Sequence, residues 1–269
     1  MDSTQTHEIL PKIQSETHKN QQEEDDDSPT LSPFALDALK EFLASQSISK
    51  TFEENPEENN GEIELPLLSE DWRLSQFWYS PQTAITVASE VFTLFSQLSS
   101  EEPDVLPSVA CISCPTLFIY LKRLYPTMSV QLLEYDTRFE QYGNDFTFYD
   151  YNLPEDLPQK MKHTYQIIVA DPPYLCIHIL LTSALFSLSS RKSEECLKKV
   201  AQTIPFLAKP EKNFLLLLTG EVQRDRAAKF LGLHPCGFRP EHSSKLGNEF
   251  RVYTNYNPGE RLGGWDLEE

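Results

Sequence analysis

The run Asp171-Pro172-Pro173-Tyr174 is the place in this 269-residue chain where side chains of the right type stand together for chemistry. It follows directly on Tyr165 to Ala170 (YQIIVA), a nearly continuous apolar run of the kind that forms a strand buried on both faces of a parallel sheet. The two prolines stop the hydrogen-bond ladder and fix the backbone, so the turn is rigid. Pro172 has no N–H, but its carbonyl and that of Asp171 remain acceptors. A carboxylate beside a fixed carbonyl can bind the two hydrogens of an amine and aim its lone pair. Tyr174 adds an aromatic face for stacking a base or holding a cationic amine. The plainer alternative is a strand-ending turn with an exposed tyrosine; the place of the string at the end of a buried run favours chemistry.

Further candidates also sit at the ends of apolar runs. Glu134 closes Met128 to Glu134, with Asp136 two residues on, and Asp150 follows the run Asp145 to Tyr149. Ser113 and Thr116 follow Val109 to Ile112. Around these strands the pattern gives a helix over Pro81 to Leu98, opened by Ser80-Pro81 at cap and first-turn positions. A second helix spans Pro115 to Tyr125, and a third spans Glu221 to Leu231, ended by Gly232. Phe214 to Thr219 is another buried strand, and Phe250 to Tyr256, after a turn near Gly247-Asn248, reads as an antiparallel last strand. Strands alternating with helices predict an α/β fold, a doubly wound, mostly parallel sheet with an antiparallel last strand. In such a sheet ligands bind beyond the carboxyl ends of the central strands, where the candidate residues stand.

Charge narrows the partners. The formal net charge is -18, and residues 1–70 carry 17 acidic against 4 basic side chains. The remaining residues hold 24 acidic and 19 basic, with no basic run. Lys198-Lys199 and Arg224 with Arg226 are short and flanked by acids, as on solvated helix faces. A nucleic-acid partner normally needs a basic face to neutralise phosphates, so a basic protein partner fits better. Residues 1–30 are too polar to offset ordering entropy and are expected to be a disordered acidic arm. Residues 31–46 place Phe34, Leu36, Leu39, Phe42 and Leu43 at helical spacing, a short amphipathic helix that docks on the domain or carries a partner contact. An acidic linker over 47–70 follows, and 71–269 is the folded domain.

The five cysteines form no regular framework; Cys111 and Cys114 are a lone CxxC without a second pair or a histidine cluster, so reduced thiols and no metal are expected. Met1-Asp2-Ser3-Thr4 lacks the basic and apolar regions of a signal peptide. The apolar stretch Cys176 to Leu188 has thirteen residues, short of the roughly twenty a spanning helix needs, so no membrane is expected.

Asp-Pro-Pro-Tyr after a strand resembles motif IV of the amino-methyltransferases. Asp71 to Tyr79 (DWRLSQFWY), Tyr142-Gly143, Phe148-Tyr149-Asp150-Tyr151 and Asn248-Glu249-Phe250-Arg251 narrow the likeness. Together they resemble the elongation factor 1-alpha lysine methyltransferase family, formerly described as adenine-N6 DNA methyltransferases, from Asp71 to Gly263-Gly264-Trp265. The resemblance implies a Rossmann-like class I methyltransferase that uses S-adenosylmethionine and works as a cytoplasmic monomer on elongation factor 1-alpha. It implies that Asp171, Pro172 and Tyr174 hold and orient the amine. It places Glu134, or else Asp136, on the cofactor ribose, the alternative being two solvated loop acids. Asp150 falls near the adenine amine or is an ordinary loop aspartate, and Ser113 offers a hydroxyl to the cofactor. Phe77 and Tyr79 belong to a cofactor-binding segment or are core aromatics.

Two features stand apart. The glycine-rich turn expected after the first strand is replaced by Cys111-Ile112-Ser113-Cys114-Pro115-Thr116, a Ser/Pro turn that the resemblance extends to the related lysine methyltransferases. Asp-Pro-Pro-Tyr-Leu is separated from Ser193-Glu194-Glu195-Cys196-Leu197 by an insertion over 176–192, which either loops out as a surface helix or covers the pocket. The rival readings are an adenine-N6 methyltransferase acting on nucleic acid, and a methyltransferase fold disabled by the insertion.

Overall fold

The computed structural model describes residues 68–71, 74, 76–173, 183–244 and 249–266, with the backbone alone over 183–193. The acidic arm, the amphipathic helix over 31–46, Tyr174, Cys176 and the turn at Gly247-Asn248 lie outside the described residues.

Ser80 opens helix α1 (Pro81–Glu101) as its pattern requires: the hydroxyl accepts from the Thr83 N–H at 3.2 Å, and Pro81 occupies the first turn, where its missing donor costs nothing. Strand β1 (Ser108–Ile112) leads into helix α2 (Pro115–Leu124), followed by β2 (Ser129–Glu134) and β3 (Phe146–Phe148). Then come β4 (Ile167–Ala170), helix α3 (Ser183–Leu207), β5 (Phe214–Gly220), helix α4 (Arg224–Leu231), β6 (His234–Pro235) and β7 (Phe250–Thr254). The sheet order is β3-β2-β1-β4-β5-β7-β6. The first five strands run parallel, and β7 pairs antiparallel with β5 and β6. This is the Rossmann-like class I methyltransferase arrangement expected from the sequence.

Alternation along the strands splits the core into two layers. Val109, Cys111, Ile167, Val169, Leu216 and Leu218 point to one face, packed by Val87, Val91 and Leu94 of α1 and by Leu117, Phe118 and Leu121 of α2. Ala110, Ile112, Ile168, Ala170, Leu215 and Leu217 point to the other, packed by Leu197, Val200 and Ile204 of α3 and Ala227 of α4. Burial on both faces explains why the central strands read as unbroken apolar runs.

Three features of the chain differ from its sequence pattern. Helix α3 begins inside the stretch 176–192 read from the sequence as an insertion and runs without a break through Ser193 to Leu207, so the end of that stretch extends a helix that packs on the core. The stretch expected to be one helix from Glu221 divides into a 3-10 turn, Glu221–Gln223, and α4. There the Glu221 N–H donates to Glu249 O and its carboxylate takes Arg224 and Arg251, ties that serve tertiary contacts rather than a helix start. Strand β6 is two residues long and contains Pro235, which a sheet tolerates at an edge.

Leu68–Glu70, in the stretch read as linker, are held on the domain. Leu68 O accepts from the Trp78 indole at 2.6 Å, and the Glu70 carboxylate accepts from Trp78 N and Ser244 Oγ, both at 2.8 Å. Among the described residues no helix is long and apolar enough to cross a membrane.

Candidate active site

The sheet order reverses between β1 and β4, and the candidate residues gather at the carboxyl ends beside that switch point. The Asp171 N–H donates to Ile112 O at 2.9 Å, extending the β1–β4 ladder by one step and setting Asp171 beside Ser113. Strand β2, paired to the other side of β1, delivers Glu134, and the chain leaving β3 delivers Asp150. A cavity of about 490 Å³ lies here. Asp171, Pro172, Glu134, Asp150, Ser113 and Phe77 all line it.

Ser113 resolves the missing glycine. Its φ is 52°, in the left-handed region that costs an ordinary residue roughly 1–2 kcal/mol, and it is held there by its N–H donating to Leu133 O at 2.8 Å. The turn has a glycine's backbone without a glycine, which is why the motif is invisible in the sequence. Beyond it Cys114, Pro115 and Thr116, at the start of α2, complete this wall.

The two buried acids differ from the usual carboxylate range in the same direction. Burial drives the Asp171 carboxyl up to about 8; the Tyr79 hydroxyl, donating to Asp171 Oδ2 at 2.8 Å, pulls it back down, and the charge of Glu134 pushes it up. Glu134 is 5 % exposed and rises to about 7, again chiefly through burial. The Asp136 N–H, donating to Glu134 Oε1 at 3.1 Å, opposes that rise, and the Asp136 charge reinforces it. At neutral pH these acids sit near their titration points, ready to ionise when a cation or a pair of hydroxyl donors arrives.

The structure does not bring two of the expected residues to the cavity wall. Burial would raise the Asp136 carboxyl, but bonds from Arg138 and Gln76 outweigh it and hold it below the usual range. Its oxygens are committed there, and Glu134 is the β2 acid that faces the cavity. Tyr79 is 2 % exposed and reaches the site through Asp171 rather than lining it. Asp150 lines the wall with Oδ1 occupied by Asn152 N and Nδ2, at 2.8 and 2.9 Å. Tyr174 lies outside the described residues.

Residues without a motif also contribute. His242, on the loop before β7, lines the cavity; no spacing in the sequence points to it. Cys196 and Lys199 of α3 line it as well; the place of Ser193–Leu197 after the insertion was their one signal. Lys199 pairs with Glu195 Oε1 and with Asn152 Oδ1, both at 2.8 Å. Among the described residues, four lining carboxyls, those of Glu134, Asp150, Asp171 and Glu195, face one lining lysine, an electrostatic setting suited to cations. The four described cysteines are buried free thiols, and burial pushes Cys196, which lines the cavity beside Lys199, up to about 12, so it is not a ready nucleophile.

S-adenosylmethionine fits these residues. The cavity lies within the roughly 300–1,000 Å³ of small-molecule sites. The Glu134 carboxylate can accept two ribose hydroxyls, and the surrounding acids suit a sulfonium. When bound, the cofactor supplies an electrophilic methyl group.

The comparisons with known proteins agree with this geometry. A family model described as "Probable N6-adenine methyltransferase" matches residues 70–258. EEF1A lysine methyltransferase 1 of Mus musculus is 41% identical over 238 residues, covering 88% of this chain and 96% of that protein. The Homo sapiens protein of the same name is 39% identical over the same length, with the same coverage. The protein-lysine N-methyltransferase CG9154 of Drosophila melanogaster is 35% identical over 241 residues, 88% of this chain and 98% of that one. A strand-end cavity lined by Asp171 and Glu134 and these matches over most of the chain lead to one conclusion: this chain belongs to the methyltransferase family that the model describes and that includes the EEF1A lysine methyltransferase 1 proteins.

Proposed function

We propose that this chain transfers a methyl group from S-adenosylmethionine to a lysine side chain of translation elongation factor 1-alpha, acting as a monomer in the cytoplasm. One observation carries the reading: Asp171, at the rigid end of β4, faces an acid-lined cavity while Tyr79 fixes its carboxylate from behind. A lysine reaches the site as an ammonium, which an acidic cavity attracts and a phosphate-bearing strand would not find. The names of the relatives support the same substrate class.

In this reading the Asp171 carboxylate and the Pro172 carbonyl bind the amine hydrogens and aim the nitrogen, leaving one direction open for in-line attack. Tyr174 follows them in the chain and completes the acceptor site. Asp171 orients the amine and takes up positive charge, while the lost proton goes to water. Glu134 and Asp150 hold the cofactor's ribose and adenine, with Ser113 and Phe77 on the same wall. Asp136 and Tyr79 act one step removed, Asp136 by anchoring Gln76 and Arg138, Tyr79 by holding Asp171.

The test is to incubate the full chain and tritiated S-adenosylmethionine with purified elongation factor 1-alpha and, separately, with DNA. The expected result is label on a lysine of the elongation factor, lost in Asp171→Ala with cofactor binding retained. Label on DNA alone would refute the lysine reading. An absence of cofactor binding, restored on deleting residues 176–192, would show that the insertion disables the fold.

A further inference from the structure

The geometry points to His242 as a second group that receives the substrate nitrogen, a hydrogen-bond acceptor set among aromatic rings in the cavity that Asp171 also lines. The inference rests on an amine being the acceptor, as proposed above, and adds a residue that no sequence motif marks.

The loop before β7 is tied to the segment before α1 in a short antiparallel ladder. Ser80 N donates to Glu241 O at 2.9 Å, Ser243 N donates to Trp78 O at 2.8 Å, and Tyr79 pairs with His242 between them. This pairing lays the imidazole on the Tyr79 ring, with centroids 4.6 Å apart and planes tilted by 32°. Phe250 meets it edge-on at 4.4 Å and Phe77 at 6.4 Å. His242 is thus held by three rings and faces the cavity, which Phe77 and Phe250 also line.

Its polar atoms stand out against that setting. Among the described residues, neither ring nitrogen of His242 has a hydrogen-bond partner in the protein. Burial drives the imidazole down to about 4, so it is neutral at physiological pH and keeps one nitrogen as an acceptor. The ring is half-buried, and that nitrogen is open to a donor that enters the cavity.

Tyr79 links the two acceptors. One side chain supports His242 with its ring face and Asp171 with its hydroxyl, and both acceptors line the same cavity. A primary ammonium has three donors and no acceptor. Asp171 and the Pro172 carbonyl take two in the reading above, and His242 takes the third from the arriving ammonium; that proton passes on to water before attack, which frees the third direction for the cofactor's methyl group. The rings of Phe77 and Phe250, which line the cavity, flank the cation, and a neutral imidazole adds no repulsion. An adenine amine has one donor too few for the three acceptors, so the arrangement also favours an alkylammonium.

The test combines variants with a direct probe. His242→Phe keeps the flat ring and removes the acceptor. The expected result is a rise in KM for the protein substrate and a fall in kcat/KM of about 10- to 100-fold, the worth of one hydrogen bond to a charged group. The Kd for S-adenosylmethionine is expected to stay unchanged, and His242→Gln, which restores an acceptor, to recover part of the loss. In the wild-type chain loaded with S-adenosylhomocysteine, n-butylammonium is expected to shift the His242 ring resonances saturably in NMR. Unchanged kcat/KM in His242→Phe, or His242 resonances unmoved by the amine, overturns the inference. A failure of the substrate reading is distinguishable: elongation factor 1-alpha goes unlabelled while the amine still moves the His242 signal.

Discussion

Removing one oxygen, in Tyr79→Phe, tests whether Asp171 works as a carboxylate. The Tyr79 hydroxyl is buried, and its own titration is pushed well above the ordinary tyrosine value, first by burial and then by the Asp171 charge, so it stays a donor across the working range. It donates to Asp171 Oδ2 at 2.8 Å, the chief influence holding that carboxyl down against burial, yet the group still titrates at about 8. A hydrogen bond to a charged group contributes about 1.5–3 kcal/mol, and one pH unit of titration corresponds to about 1.36 kcal/mol. Losing the bond therefore lifts the Asp171 titration by roughly one to two units. At pH 7 the ionised fraction falls about tenfold per unit, so kcat/KM is expected to drop about 10- to 100-fold. Above the displaced titration point the variant recovers toward the wild type. The assay is the initial rate of tritium transfer to the protein substrate at subsaturating concentration across the alkaline range, with cofactor affinity measured in parallel. Equal rates at neutral pH, or an acid limb that stays in place, would refute the claim that Tyr79 holds the working carboxylate.

Other consequences follow from the same contacts. Asp171→Asn is expected to abolish transfer while raising the stability of the free protein. The folded-state titration lies above the unfolded value of about 4, so the wild type loses stability as pH climbs from there to about 8; the variant's advantage in Tm should be absent near pH 4 and largest above pH 8. Glu134→Gln removes the buried acid at the end of β2 and is expected to weaken S-adenosylmethionine binding about 10- to 100-fold by calorimetry, through loss of charge-assisted bonds. Gly237→Ala would place a Cβ 2.6 Å from Gly263 O, a backbone atom that cannot swing away. A loss of about 1–3 kcal/mol in urea unfolding is expected, and an unchanged midpoint would contradict the close approach of those two loops.

How much could be read in advance depends on whether a residue's role is local. The parallel sheet was legible because β1, β4 and β5 are buried on both faces, which forces continuous apolar runs such as Leu215–Leu218. Asp171 was legible because two prolines after such a run leave few other conformations, and Glu134 because it ends the apolar run of β2. The start of α1 could be read from Ser80-Pro81, since a cap is a contact between near neighbours. Helix α3, by contrast, runs on from the insertion, where the sequence pattern alone left a surface helix and a pocket cover equally open.

The sequence by itself therefore determined which strands are buried and which side chains stand at their carboxyl ends, because those properties are written in periodicity and in adjacent residues. Only the tertiary structure decided how the ends are used. Asp136, two residues from Glu134, turns to Arg138 and Gln76 while Glu134 faces the cavity. Ser113 takes a left-handed backbone because its N–H reaches Leu133 on the neighbouring strand. Tyr79 reaches Asp171 across 92 positions of chain, and His242 joins them through a ladder between segments even farther apart. Such contacts depend on how the strands are ordered in space, and no local pattern records them.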